Sequence, residues 1–563
     1  MACRQLLLLS SLLLVASLTG AKPTSRAAPH IIHILVDDFG WNEVGYHQPS
    51  DVSADEIEVQ TPNIDALKEE GLELDRMYVH KICSPSRSSV QTGRDPIHVN
   101  VQNVHPEVTN SDDPVGGFQG IPLNMSTMAE VLSDTGLYET SFVGKWDVGM
   151  ATDMHAPYSR GYEKFFGYFH HSNDYWNFNE QKCSLKAVKD LWLHNETFSG
   201  PAVHLENGAH CGQDNQSPDG ERCVYEEELL MGSVKQQLQD YAAGDQEKSL
   251  FMFWSTHLVH MPLQVPDSFL EKFSDVDDSY RRSMRAMSNY LDTEIGEVVD
   301  TLKETGLWED TVLVFHADNG GEIMTQSCGG NNYPLRGGKF SNFEGGIRVN
   351  AIVSGGYLPE DRRGKVEGRL FTSADWLSTY ASLAGVDTDN LSDAKAVASN
   401  LPDYDSVNQW PIISGEAEAD VVAREEVIIG DTTSVEFNGD GDTLVGGLIR
   451  GRWKLLLGAK NKLYRISQDV VTSVNYPSHP IIVPEAIFRT CSRKLKNACL
   501  FDIYADPAET TSVAEENEDI FNEMLARIDE LQETVYSPDR GKKDKRACEA
   551  AKGEYGGWWG PFM

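Results

Sequence analysis

Four apolar runs recur along the chain, and each breaks off into polar residues. Ile31-Ile32-His33-Ile34-Leu35-Val36 stops at Asp37-Asp38, and Thr140-Ser141-Phe142-Val143 runs into Gly144-Lys145-Trp146-Asp147. Leu250-Phe251-Met252-Phe253-Trp254 runs into Ser255-Thr256-His257, with His260 just beyond, and Thr311-Val312-Leu313-Val314-Phe315 runs towards Asp318-Asn319-Gly320-Gly321. Short runs of β-branched and aromatic residues bounded by polar ones predict buried, parallel strands. Helical spacing is predicted from Met128 to Thr135 and from Tyr280 to Thr305. A further helix opens at Thr61-Pro62-Asn63 and closes at Gly71, with Ile64 and Leu67 facing inward. Strand and helix alternate, which predicts an α/β fold with a mostly parallel sheet flanked by helices. Ligands of such sheets sit beyond the carboxyl ends of the strands. The four runs therefore carry carboxylates, a lysine, a histidine and an Asp-Asn pair to one edge. Taken singly each is an ordinary turn or surface group; together they predict one site.

The pattern changes after about Ser414. Val427-Ile428-Ile429, Leu444 to Ile449 and Trp453 to Leu457 predict hairpin strands with Gly-rich turns. A helix from about Ala514 to Val535 is predicted next, with Ile520, Met524, Ile528 and Leu531 at helical spacing. The expected organisation is a signal peptide over 1–21, a catalytic unit over 29–414 and a smaller antiparallel α+β unit over 415–563. The basic run Lys542-Lys543-Asp544-Lys545-Arg546 reads as solvated.

The leader carries Arg4 ahead of an apolar run from Leu6 to Leu18, with Gly20-Ala21 as a cleavage point. The run is short for a membrane span, and no later segment is long and apolar enough for one. The protein is expected in the secretory pathway, secreted or lysosomal. Its 563 residues carry 86 acidic and 48 basic side chains, a net charge of −38. That balance argues against nucleic-acid or anionic-membrane partners, and any site for an anion must be locally basic. Of nine cysteines, seven remain once Cys3 and Cys83 are set aside, so at least one thiol stays unpaired within the chain. Cys491 with Cys499 and Cys211 with Cys223 are the local pairings. Sequons at Asn124, Asn195, Asn215 and Asn390 suit a glycoprotein.

The stretch Cys83-Ser84-Pro85-Ser86-Arg87, continuing to Thr92-Gly93-Arg94, places a small nucleophile and two guanidinium groups together. Pro85 suits the first turn of a helix, which puts Cys83 at the N-terminus, where an anion is favoured. Asp37, Asp38, Asp318 and Asn319 are hard oxygen donors of the kind that Ca²⁺ or Mg²⁺ prefers. Arg87, Lys145 and Lys339 would supply positive charge around a tetrahedral anion.

The Cys-x-Pro-Ser-Arg and Thr-Gly-Arg segments resemble the sulfatase signature. Gly144-Lys145-Trp146, Val259-His260-Met261-Pro262, Pro334 to Lys339 and Glu344 to Arg348 are similar to that family too. The resemblance implies an alkaline-phosphatase-like fold and hydrolysis of sulfate monoesters on a sulfated carbohydrate or an aryl sulfate. It implies that a formylglycine-generating enzyme oxidises Cys83 to formylglycine. It also implies one divalent cation, Ca²⁺, at Asp37, Asp38, Cys83, Asp318 and Asn319. Arg87, Lys145, His260 and Lys339 would contact the sulfate, with His260 protonating the leaving oxygen. Of the two hydroxyls of hydrated formylglycine, one would attack sulfur and the other expel sulfate. The ending Gly556 to Met563 is similar to that of the arylsulfatase B branch, which removes 4-sulfate from N-acetylgalactosamine.

Two departures stand out. Asp147 takes the place of the family histidine after Gly-Lys-Trp. No cysteine lies between Cys83 and Cys183, so Cys548 is expected to lack its family disulfide. The alternatives are a related phosphatase or phosphonate hydrolase, and a non-catalytic protein that binds sulfated glycans through an inherited pocket. Asp147 is the feature that favours the latter.

Overall fold

The structure is a computed structural model describing residues 27–48, 59–101, 106–180, 183, 188–203, 223–323, 328–432, 443–458, 470–471, 481–482 and 491–563. The expected signal peptide, Cys211 and its expected pairing with Cys223, and the sequon at Asn215 lie outside the described residues.

The four apolar runs are adjacent strands. They are β1 (His30–Val36), β2 (Tyr138–Lys145), β3 (Ser249–Ser255) and β4 (Thr311–Ala317), in the order β2-β3-β1-β4 at the centre of a ten-stranded sheet. All four are parallel, with Ile31 level with Phe251 and Val312, and Phe251 level with Thr140. Every residue in them except Glu139 is buried, which is why their sequences are nearly continuously apolar rather than alternating. Lys164–Tyr168 extends the parallel set beside β2. On the far side Ala351–Ser354 pairs antiparallel with β4 and Leu72–Leu74 pairs antiparallel with Ala351–Ser354.

Two groups of helices flank the sheet. The first is α1 (Pro62–Glu69), α4 (Glu226–Ala243) and α5 (Ser279–Glu304). The second is α2 (Cys83–Thr92), α3 (Met128–Asp134) and α6 (Asp375–Leu383). The predicted starts are chemically capped: Thr127 and Glu130 form a capping box at α3, and the Asp278 side chain accepts from Arg281 N at α5.

The second unit is an antiparallel sheet of β5 (Glu426–Thr432), β6 (Thr443–Arg450), β7 (Trp453–Leu456) and β8 (Cys499–Asp502). Helix α7 (Glu518–Gln532) buries Phe521, Met524, Ile528 and Leu531. It starts later than expected because Val513 N is committed to Leu500 O, and Ala514 is buried in the cluster beneath the helix.

Residues 541–563 turn back onto the first unit. Lys542–Lys543 pairs with Val108–Thr109, Trp558 bridges to Lys189, and Cys548 forms a disulfide with Cys183. With no cysteine between 83 and 183 to take, Cys548 is not left unpaired: the returning tail brings it to Cys183 instead. Cys491 pairs with Cys499, and Cys328 is a buried thiol. Among the described residues no helix is long and apolar enough to cross a membrane.

Candidate active site

The carboxyl ends of β1, β2, β3 and β4 meet the start of α2. At this edge β2 and β3 run so close that a Cβ on Gly144 would lie 1.8 Å from Ser255 O, so only glycine fits. Gly144 thereby sets Lys145 beside Ser255 and beneath the β1 carboxylates. Asp38 turns the chain out of β1 with a φ of 56°.

Cys83 is the first residue of α2, a helix buried along its whole length. Its serines are hydrogen-bonded: Ser86 and Ser88 donate to backbone carbonyls, and Ser89 is bonded to Ser373. Cys83 Sγ lies 3.5 Å from Asp37 Oδ1 and 4.0 Å from Asp38 Oδ1. Arg87, one turn on, donates from Nε (2.9 Å) and Nη2 (2.7 Å) to Asp318 Oδ2, and its Nη2 is 3.4 Å from Asp37 Oδ1. Lys145 Nζ is 2.7 Å from Asp37 Oδ2, and Lys339 Nζ is 2.6 Å from Asp38 Oδ2. Asn319 Nδ2 donates to Asp38 Oδ1 at 2.7 Å. His260 Nε2 is 3.6 Å from Asp38 Oδ2, and its other ring nitrogen is 2.7 Å from Met261 O. Asp37, Asp38, Cys83, Arg87, Lys145, His260, Asp318, Asn319 and Lys339 thus lie in one cluster.

Burial and charge set the protonation states. Burial opposes the charges of Lys145, Lys339 and Arg87, but Asp37, Asp38 and Asp318 respectively outweigh it, and all three stay cationic. Burial, reinforced by Lys339 and Lys145, pushes His260 well below the usual imidazole range, so it is neutral. Burial and Asp318 push the Cys83 thiol up. A thiol so placed is not a ready nucleophile.

The residues fit a divalent cation. The donor atoms of Asp37, Asp38, Cys83 and His260 all lie within 4.8 Å of one another. Asn319 Oδ1 beside them is buried without a hydrogen-bond partner. Such hard oxygens suit Ca²⁺ or Mg²⁺.

Two residues close to the motifs in sequence lie away from the site, and some groups carried no signal. Arg94 is not at the site: it pairs with Asp393 at 2.7 Å and stacks over Tyr404. His155 rests against Phe118 and bonds to Thr152, so it does not take the place of a histidine at 147. Asp147 is buried, accepts from Ser84, and lies 3.9 Å from Lys145 Nζ. Ser255, bonded to Arg87, and Tyr175, whose hydroxyl donates to His257 O and His260 O, were not foreseen. Isolated hydroxyls carry no sequence signal of such roles.

Residues 29–386 match the family model described as Sulfatase. The chain belongs to the sulfatase family. Membership makes it a sulfuric ester hydrolase. Arylsulfatase J of Mus musculus is 30% identical over 563 residues, covering 96% of this chain and 81% of its own. Arylsulfatase A of Homo sapiens is 29% identical over 389 residues, 68% of each chain. A solved structure of Ps i-CgsB in complex with k-i-k-neocarrahexaose superposes with a TM-score of 0.66 at 22% identity, covering 93% of this sulfatase and 97% of that chain. At that identity the likeness shows the fold alone. The likeness of the chain's ending to arylsulfatase B is only approximate.

Proposed function

We propose that this sulfatase removes sulfate from a sulfated sugar or polysaccharide in the secretory pathway, secreted or lysosomal, using residue 83 as formylglycine together with one divalent cation, Ca²⁺. One observation carries the reading: a helix-starting cysteine lies among three carboxylates and three buried cations at a single sheet edge. Sulfated-sugar enzymes among the relatives and neighbours support the substrate class.

Oxidised and hydrated, position 83 would supply two hydroxyls, one to attack sulfur and one to expel sulfate. A cation held by Asp37, Asp38, Asp318, Asn319 and residue 83 would supply Lewis acidity to the sulfuryl group. The protein's own side chains do the rest. With Asp147 ionised, Arg87, Lys145 and Lys339 face four carboxylates, a deficit of one charge. A divalent cation turns this into a surplus of one, which a sulfate monoester cancels. Lys145 and Lys339 then neutralise oxygens of the transferring sulfuryl group, and Arg87 fixes Asp318. His260 sits at the mouth of the site with Nε2 free of any hydrogen bond shorter than its 3.6 Å approach to Asp38. Its single proton is held on Nδ1 by Met261 O, so Nε2 first takes up a proton, which the charge of a bound sulfate ester favours, and then hands it to the leaving oxygen.

The decisive experiment is mass spectrometry of the peptide carrying residue 83, from a host with the maturation enzyme. The expected product has sulfur replaced by oxygen and two hydrogens lost. Cys83→Ser, which has one hydroxyl, should release the alcohol once and then stall with sulfate attached. An intact thiol in active protein would sink the mechanism, and an intact thiol in inactive protein would favour the glycan-binding reading.

A further inference from the structure

The acid of the proposed reaction sits on a loop, and that loop takes its shape from groups outside it. His260 orients its ring through Nδ1, 2.7 Å from Met261 O, so the direction of Nε2 follows the backbone of its own segment. That backbone forms a turn in which His260 N donates to His257 O at 2.9 Å. The turn is tied to β1, with Asp37 N donating to Leu258 O at 2.9 Å and Val259 N to Asp37 O at 2.8 Å. Glu227 Oε1 accepts the amide of His257 at 2.7 Å, and Glu226 Oε2 lies 2.7 Å from His257 Nδ1. These ties fix residues 257–259. The carbonyl of His260 itself is held by Tyr175, whose hydroxyl lies 3.0 Å from His260 O and 2.7 Å from His257 O.

Tyr175 is firmly placed for this. It is fully buried and stacks on the His257 ring, with centroids 4.0 Å apart and planes 12° from parallel. Its amide donates to Gln264 Oε1 at 3.0 Å, and its carbonyl accepts from Glu226 N at 2.8 Å. Burial, with Tyr225 and Glu227, pushes its phenol well above the usual range, so the hydroxyl keeps the proton it donates. An uncharged phenol adds nothing to the attraction for an anionic substrate; what it supplies is position. An acid must stand within hydrogen-bond reach of the oxygen it protonates, and a misplacement of about 1 Å can cost roughly a hundredfold. We propose that Tyr175 is a positioning residue for protonation of the leaving oxygen, its hydroxyl clamping the carbonyls at both ends of the turn and so aiming His260 Nε2. The inference rests on the desulfation reading and extends it to a residue set behind the acid.

The test uses the full chain, matured in a host with the maturation enzyme and supplied with calcium, and two substrates. One is 4-nitrophenyl sulfate, whose leaving group departs readily as an anion; the other is phenyl sulfate, whose more basic leaving oxygen needs the proton. Tyr175→Phe keeps the ring and loses the hydroxyl. kcat/KM should fall roughly tenfold for phenyl sulfate and less than about twofold for 4-nitrophenyl sulfate. In a His260→Ala background the same substitution should cost nothing further on either ester, because the group that it aims is gone. An equal loss on both esters, no loss on either, or a loss that persists without His260 overturns the inference and leaves the desulfation reading standing. An intact thiol at residue 83 of the active chain overturns that reading instead, and this inference with it.

Discussion

Asp147 stands in the left-handed region, with a φ of 55°, at the end of the strand that delivers Lys145. One of its oxygens is buried with no hydrogen-bond partner. Burial raises its pKa above the usual carboxylate range, partly offset by Lys145 and Arg87. The neutral acid is thus favoured at low pH, and a negative charge develops among the sulfate-facing cations as pH rises. That charge opposes an anionic substrate, so KM for a small sulfate ester should climb with pH through the Asp147 titration. Asp147→Asn should hold KM flat over the same range while keeping the Ser84 contact. Measuring KM against pH for both proteins decides it, and parallel slopes would clear Asp147 of the effect.

The junction between the two units is an element-scale device. Asp95 and His98 lie just beyond α2. Asp405 accepts from Asp95 N at 2.8 Å and from His98 Nδ1 at 2.7 Å, and His98 Nε2 reaches Thr534 Oγ1, past the end of α7, at 2.8 Å. Burial would lower the His98 pKa, but Asp405 and Asp95 outweigh it and raise it. Its contribution is therefore full below the unfolded imidazole value and is lost as pH rises through the higher folded one. Burial and Asp405 push Asp95 up to about 7. The fold favours its neutral form, and that contribution also fades as pH rises towards and past about 7. Both signs agree, so the junction should loosen between mildly acidic and neutral pH. Hydrogen exchange at Tyr536, whose amide is bonded to Ile97 O, should quicken over that interval. His98→Gln should abolish part of the dependence, and an unchanged profile would count against the junction.

The four central strands were legible in the sequence because burial on both faces leaves continuous apolar runs that end in chemistry. Strands such as Leu72–Leu74 were not, since three residues give no periodicity. Arg94 stands in the same signature stretch as Arg87 yet points elsewhere, because a motif shows proximity in sequence, not direction. Its partner Asp393 lies 299 residues away, and the local sequence holds no trace of it. The Cys183–Cys548 bridge was missed for the same reason.

Across the whole molecule that bridge closes a segment of 365 residues. Cross-links over long segments restrict the unfolded chain, so Cys548→Ser should cost about 2–4 kcal/mol of stability. Denaturant unfolding of the oxidised protein would show it, and an unchanged midpoint would mean that the tail docks without help. The net charge of −38 has a kinetic consequence. It repels a polysulfated chain at long range, although the site itself would carry a surplus positive charge with a divalent cation bound. Raising salt from well below to near physiological strength screens that repulsion. kcat/KM should rise for a polysulfated polymer and change little for a small monosulfate.

The returning C-terminal segment also sets an order of events. Arg540 donates to Val99 O, Asn100 O and Gly120 O, and Tyr536 O accepts from Asn100. The stretch following the Cys83 helix thus has its backbone satisfied by residues made long after it. The helix itself packs against α3 and α6 of the first unit. Any enzyme that must reach Cys83, which is 1% exposed in the finished fold, has to act before that unit closes.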